Sequence, residues 1–328
     1  MEAYLRIVRW KNLLFILVIQ WLMQHAVVYP LLQTYGFEIS QRDVFNILLY
    51  AATMLISAGG YVINDYFDVK IDRLNRPDKV IVSEKITPKA AMLYYQMLTV
   101  TGVICGLILA FLSHSFTLGF IMLFTPGLLW FYSASYKRQF ITGNVIVSFS
   151  ASLVMLVVGF LEVALLQIQY GNLLLQTPIP AQIYGWTGGF AAFAFACTWI
   201  REIIKDMEDI HGDREMECRT MPIKWGIPKT KYFLYALIIL TIAALFHVDF
   251  HYIHFDGNLT TRYILFGLTL PLVALSYLIF RCKTPEDFHQ ASTLSKFIML
   301  AGVLYSLIFY YLTAKTFHIS IFGLFIVK

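Results

Sequence analysis

Nine apolar stretches, each near the length that crosses about 30 Å of hydrocarbon, recur along the 328 residues: 12–33, 43–63, 92–113, 116–135, 142–166, 182–200, 231–248, 262–280 and 296–314. The bilayer core offers no water to backbone polar groups, so each stretch must satisfy its own N–H and C=O groups as a helix. The expectation is an all-α, polytopic membrane protein with nine transmembrane helices. Composition agrees, with 59% hydrophobic and 14% charged residues against about 45–50% and about 25% in a soluble domain. The first stretch runs past signal-peptide length without a small-residue cleavage site and is expected to remain as a span. No soluble domain, low-complexity tract or long linker interrupts the pattern, so residues 1–328 are read as a single transmembrane domain.

The positive charges orient it. With the N-terminus cytoplasmic, 21 of the 25 lysines and arginines fall in loops on that side. Only Arg42, Arg262, Lys315 and Lys328 fall on the other, a strong positive-inside bias. Cys105 and Cys197 lie in spans, and Cys218 and Cys282 on the side where thiols stay reduced, so no disulfide is expected. The net charge of +5 resides mostly in the cytoplasmic loops, and nothing suggests a nucleic-acid partner.

Two acidic clusters share one spacing, D-x-x-D-x-x-x-D: Asp65, Asp68 and Asp72, then Asp206, Asp209 and Asp213. On a helix such a triplet falls within about 60° and about 10 Å of axis. Crowded carboxylates repel unless a cation lies between them, and hard divalent ions such as Mg²⁺ take oxygen ligands of this kind. Two such faces point to two metal ions bridged by an anion. Solvated loop acids are the plain alternative, but the repeat at two cytoplasmic helix ends argues for a site, since ionisable groups at membrane depth are costly. Bases accompany the acids: Arg73, Arg76 and Lys79 follow the first cluster, Arg201 and Lys205 flank the second, and Lys137 and Arg138 close the fourth span. Carboxylates for a metal beside cations for phosphate oxygens suggest a diphosphate. A diphosphate headgroup above apolar helices implies a hydrocarbon tail.

The segment Asn64-Asp65-Tyr66-Phe67-Asp68-Val69-Lys70-Ile71-Asp72, with Asn75-Arg76-Pro77 after it, resembles the NDxxDxxxD signature of the UbiA superfamily of intramembrane prenyltransferases. Lys205-Asp206 through Gly212-Asp213 resembles its second acidic motif. Arg9 with Asn12, Tyr132-Ser133-Ala134 with Lys137-Arg138, and Gly143-Asn144 match it at three further places, so the resemblance covers the whole chain. It implies nine helices around a central cavity open to the cytoplasmic side. It also implies Mg²⁺-dependent transfer of a prenyl group from an allylic diphosphate to a lipophilic acceptor within the bilayer. Asn64, Asp65, Asp68, Asp72, Asp206, Asp209 and Asp213 are then expected at the metal, and Arg73, Arg76, Lys137, Arg138 and Lys205 at the diphosphate. Asp68, Asp72, Asp209, Asp213 and Lys137 are the expected catalytic core, and Asn12 and Tyr132 join the pocket by resemblance alone. The form R-E-I-x-K-D-x-x-D-x-x-G-D followed by Thr220-Met221-Pro222 most resembles members that use geranylgeranylglycerol phosphate; members with aromatic acceptors are the alternative. Glu84 stands where many relatives have glycine. No organelle-targeting feature is visible, which suggests a bacterial or archaeal cell membrane.

Other signals are set lower. His247, His251 and His254 are expected to be interfacial histidines on the outer side, and Glu162, near the outer end of the fifth span, to reach the headgroups. His211 is expected to have no catalytic part. A cation-coupled transporter would place its charges near the midplane, and an alcohol phosphatidyltransferase would need a D-G-x-x-A-R element that neither cluster has. Single cysteines introduced at Glu84 and at Arg219 are expected to react with an impermeant maleimide only from the cytoplasmic side. Labelling of either from outside would reject the nine-span order.

Overall fold

The computed structural model describes residues 2–37, 42–75 and 77–326. Arg76, expected at the diphosphate, and Lys328 lie outside them. The described chain is helical apart from a two-strand hairpin, Ser320–Ile321 with Phe325–Ile326. In chain order the helices are α1 (Glu2–Ile7), α2 (Trp10–Thr34), α3 (Asp43–Asn75), α4 (Pro88–Leu112), α5 (Phe116–Ala134), α6 (Thr142–Tyr170), α7 (Ile179–Glu208), α8 (Ile210–Glu215), α9 (Met221–Tyr252), α10 (Leu259–Arg281) and α11 (Pro285–Phe317).

Each of the nine expected stretches lies in its own helix. Among the described residues eight helices are long and apolar enough to cross a membrane. The remaining one, α7, carries the stretch 182–200 and falls short on apolarity, because Tyr184, Gly185, Trp186, Thr187, Gly188 and Gly189 dilute its first half. The short turn after α4 is real: His114 takes a positive φ of 48° and Ser115 caps α5 by accepting from the Leu118 N–H at 3.3 Å.

The chain forms two compact units. The first comprises 1–24, 38–137 and 153–188, and contains α3, α4 and α5 packed side by side. Gly106 on α4 permits that packing, since a Cβ there would stand 2.6 Å from the Met122 side chain of α5. Polar groups inside this unit are paired across helices. Gln20 on α2 accepts from Thr53 of α3 at 2.7 Å and donates to the Val154 carbonyl of α6 at 3.2 Å. The second unit comprises 25–37, 138–152 and 189–328. Its core joins Ile200, Ile203, Ile204 and Met207 of α7 to Leu234 and Ile238 of α9, Leu272 and Leu275 of α10 and Phe288 and Ile298 of α11.

Glu162 corrects the expectation made for it. It does not reach the headgroups: it is fully buried, 3.3 Å from Arg42 Nη2, and accepts from Gln24 Nε2 at 2.8 Å. A carboxylate in hydrocarbon demands a partner, and the arginine at the start of α3 is brought to it. The Gln24 end of the cluster stands in a stretch of α2, Met23–Val28, wound one residue wider than an α-helix, a distortion that re-aims side chains. Breaking a buried ion pair by removing one partner costs about 3–5 kcal/mol, so Glu162→Ala is expected to lower the thermal midpoint of the detergent-solubilised protein sharply. The double variant Arg42→Met/Glu162→Met is expected to recover most of the loss. A Glu162→Ala midpoint equal to that of the wild type would contradict the pairing.

Candidate active site

The first acidic motif lies on the last turns of α3, which runs without a break to Asn75, so Asp65, Asp68 and Asp72 share the expected face. Carboxylates here oppose the negative end of the helix dipole and need compensating cations. The fold supplies them. Asp68 is 4% exposed and its Oδ2 takes two donors, the Lys137 ammonium and Asn64 Nδ2 at 2.7 Å. Asp65 Oδ1 accepts from Arg9 Nη2 at 2.9 Å. Arg9 stands at the left-handed residue (φ 51°) that separates α1 from α2, with its guanidinium 5.1 Å from the centre of the Tyr61 ring.

Lys137 sits in the turn between α5 and α6. Burial works to lower the pKa of its ammonium, but Asp68, Tyr132 on α5 and Asp72 together raise it. Desolvation likewise opposes the charge of Arg9, and Asp65, Tyr61 and Asp68 together raise its pKa. Both cations are thus locked in their charged forms by the acids they face.

Other residues expected in this region are placed differently. Arg73 turns to Glu84 at 2.9 Å, with both side chains half exposed. Glu84 therefore ties the segment after α3 back to the helix, while Val82 and Ile86 of that segment pack on Ile7, Val8 and Val62. Asn12 is exposed, one turn beyond Arg9. Asp72 is half-buried.

The second motif departs from the one-helix expectation. Helix α7 ends at Glu208, Asp209 has φ −93° and ψ 8°, and the chain re-enters a helix at Ile210. Aspartate favours this position, as a residue type suited to helix starts and as a negative charge at the positive end of a dipole. Asp206 accepts from Asn144 Nδ2 at 2.8 Å, and Asp213, 8% exposed, accepts from Thr220 Oγ1 at 3.4 Å. Lys205 turns to Glu202, whose carboxylate lies 2.9 Å from it and 2.8 Å from Arg201 Nη1. The Arg138 carbonyl accepts from the Arg219 N–H at 2.7 Å.

Three participants escaped assignment from sequence. Arg9 and Asn144 are matched there only by resemblance, and nothing local marks an interfacial arginine or a span-opening asparagine as an acid's partner. Glu202 had a signal, because it precedes Asp206 by four residues and so lies on the same helical face. Of the lower-ranked signals, His211 lies within the second motif on α8, while the His247 and His251 rings lie 4.6 Å apart at the far end of α9, where Asp249 accepts from Thr261.

Among the described residues no three His, Cys, Asp or Glu side chains converge as a ready metal cage. Mg²⁺ does not ask for one, since it binds through one or two carboxylates and completes its shell with waters and substrate phosphates. Carboxylate and amide oxygens at a helix C-terminus, flanked by cations, fit that chemistry. Removing the donor from a charged, buried acceptor costs about 1–3 kcal/mol, so Asn144→Ala is expected to lower the thermal midpoint. Asn144→Asp, which sets two carboxylates face to face, is expected to lower it further. If Asn144→Asp matches the wild type, Asp206 does not depend on that donor.

Comparison with known proteins agrees with this chemistry. The digeranylgeranylglyceryl phosphate synthase of Methanosphaera stadtmanae is 29% identical over 300 residues, covering 92% of this chain and 96% of its own. The enzyme of the same name from Saccharolobus solfataricus is 30% identical over 277 residues, covering 82% and 87%. Among solved structures, one described as giving structural and mechanistic insights into digeranylgeranylglyceryl phosphate synthase in membranes superposes with a TM-score of 0.60 at 23% identity, covering 93% of this chain and 98% of that one. A UbiA homolog from Archaeoglobus fulgidus bound to DMAPP and Mg²⁺ superposes with a TM-score of 0.55 at 15% identity, covering 93% and 99%. These two share the fold. The model of the UbiA prenyltransferase family matches residues 12–300, leaving no room for the transporter and phosphatidyltransferase alternatives. This chain, a multi-pass membrane protein with prenyl transfer as its chemistry, belongs to the UbiA prenyltransferase family.

Proposed function

We propose that this protein is a single-domain enzyme, residues 1–328, that transfers a geranylgeranyl-type prenyl group from its allylic diphosphate to geranylgeranylglycerol phosphate. The acceptor rests on the relatives named digeranylgeranylglyceryl phosphate synthase and on the form of the second motif, R-E-I-x-K-D-x-x-D-x-x-G-D. The chemistry rests on Asp68, a buried carboxylate held by an ammonium and an amide at the mouth of an apolar helical unit.

In this reading Asn64, Asp65, Asp68 and Asp72, with Asp206, Asp209 and Asp213, hold Mg²⁺, and Lys137, Arg138 and Lys205 face the diphosphate, joined by Arg73, Arg76, Tyr132 and Asn12. Bound Mg²⁺ supplies Lewis-acid neutralisation of the departing diphosphate. The protein's own cations add to that neutralisation. Held in place before the reaction, they stabilise negative charge as it accumulates on the leaving group without having to reorganise. The apolar helices exclude water, which would otherwise capture the allylic cation before the acceptor does. The N-terminus and both acidic motifs face the cytoplasm, where the positive-inside bias puts them.

Membranes carrying the protein are expected to transfer radiolabelled geranylgeranyl groups to geranylgeranylglycerol phosphate only with Mg²⁺ present, and undiminished transfer in excess chelator would reject the metal chemistry. Losing one transition-state-stabilising group costs about 100- to 1000-fold, and Asp68→Ala and Asp209→Ala are each expected to lower turnover by at least that much in folded protein. Preference for an aromatic acceptor in a side-by-side panel would move the enzyme to another branch of the family.

A further inference from the structure

The carboxylate that this reading gives to the metal already has a resident cation. Lys137 and Asn64 both donate to Asp68 Oδ2, and Arg9 donates to Asp65 Oδ1. Asp68 is almost wholly buried, so ammonium and divalent ion compete for one carboxylate and cannot both be close to it without repulsion in a medium of low dielectric. The same lysine is the cation that the reading gives to the diphosphate. Resting on that reading, we propose that Lys137 is an exchangeable counter-ion which occupies Asp68 until a diphosphate takes it, so that metal and diphosphate bind cooperatively.

The argument is one of charge. With Lys137 on Asp68 and Arg9 on Asp65, two of the motif's three carboxylates are already compensated, which weakens its attraction for a metal. A diphosphate offers Lys137 a stronger anion. Its departure frees Asp68, and the gain in metal affinity must be matched by an equal gain in diphosphate affinity when metal is bound. The device guards the site, since neither ligand is held well without the other, and the pair that does bind is the pair required for transfer. It gives Lys137 a role that a simple phosphate contact lacks: lowering the metal affinity of the protein alone.

Mn²⁺ serves as the probe, with its free-ion electron paramagnetic resonance signal followed during titration of the purified full-length protein in detergent without diphosphate. Lys137→Met is expected to bind Mn²⁺ about tenfold more tightly than the wild type, within the usual range of site-to-site coupling. Lys137→Arg is expected to stay near the wild type, and adding Asp68→Asn to Lys137→Met is expected to cancel the gain. Unchanged or weaker Mn²⁺ binding by folded Lys137→Met would overturn the inference while leaving the proposed function standing. Should that variant not fold, Arg9→Gln tests the same exchange at the more exposed pair: tighter Mn²⁺ binding supports it, and no gain overturns it. If no variant, nor the wild type with inorganic pyrophosphate added, binds Mn²⁺, both the exchange and the metal reading fall.

Discussion

Charge compensation in a medium that does not solvate charge governs this molecule. Asp68, Glu162, Glu202 and Asp206 are carboxylates that water cannot fully hydrate, and each has a protein donor within hydrogen-bond or ion-pair distance: Lys137 with Asn64, Arg42 with Gln24, Arg201 with Lys205, and Asn144. An unpaired buried charge would cost several kcal/mol by order of magnitude, so these partners are conditions of the fold as much as features of the site. The same requirement shapes the end of α3, where the gathered acids and cations are stable because they compensate each other.

Helix geometry divides the two motifs. In the first, an unbroken α3 keeps Asp65, Asp68 and Asp72 on one face, and the crowding is relieved by cations from outside the helix, Arg9 before α2 and Lys137 after α5. In the second, the helix bends at Asp209, and Asp206 and Asp213 each accept from a neutral donor, Asn144 and Thr220. The same spacing thus yields a cation-paired set in one place and an amide- and hydroxyl-paired set in the other. Glu84 is tied to Arg73. An exposed pair of this kind is weak, so the packing of Val82 and Ile86, rather than the ion pair, holds that segment against α1 and α3.

Much of the architecture was legible along the chain because apolarity and length are local properties. The helix order, the break at Ser113 to Ser115 and the positions of both acidic motifs follow from runs of residue types. Partnership was not legible, because it depends on residues far apart in sequence: Arg9 lies 56 residues from Asp65, Lys137 69 from Asp68, and Gln24 138 from Glu162. Glu162 was misjudged for this reason. Judged by its depth along one helix it belonged with the headgroups, and only the neighbouring helices reveal the arginine and amide that keep it inside.

The sequence by itself determined that the chain spans a membrane as helices, which of its helix ends are acidic, and that a divalent metal and a diphosphate suit those ends, because hydrocarbon thickness, helical period and carboxylate repulsion act on neighbours within a few turns. Tertiary structure alone decided which cation holds which acid, that Glu162 is interior, and that the second motif is bent at Asp209. Those outcomes arise where separate helices meet, and in a low-dielectric interior the identity of the nearest opposite charge outweighs anything that the local pattern can specify.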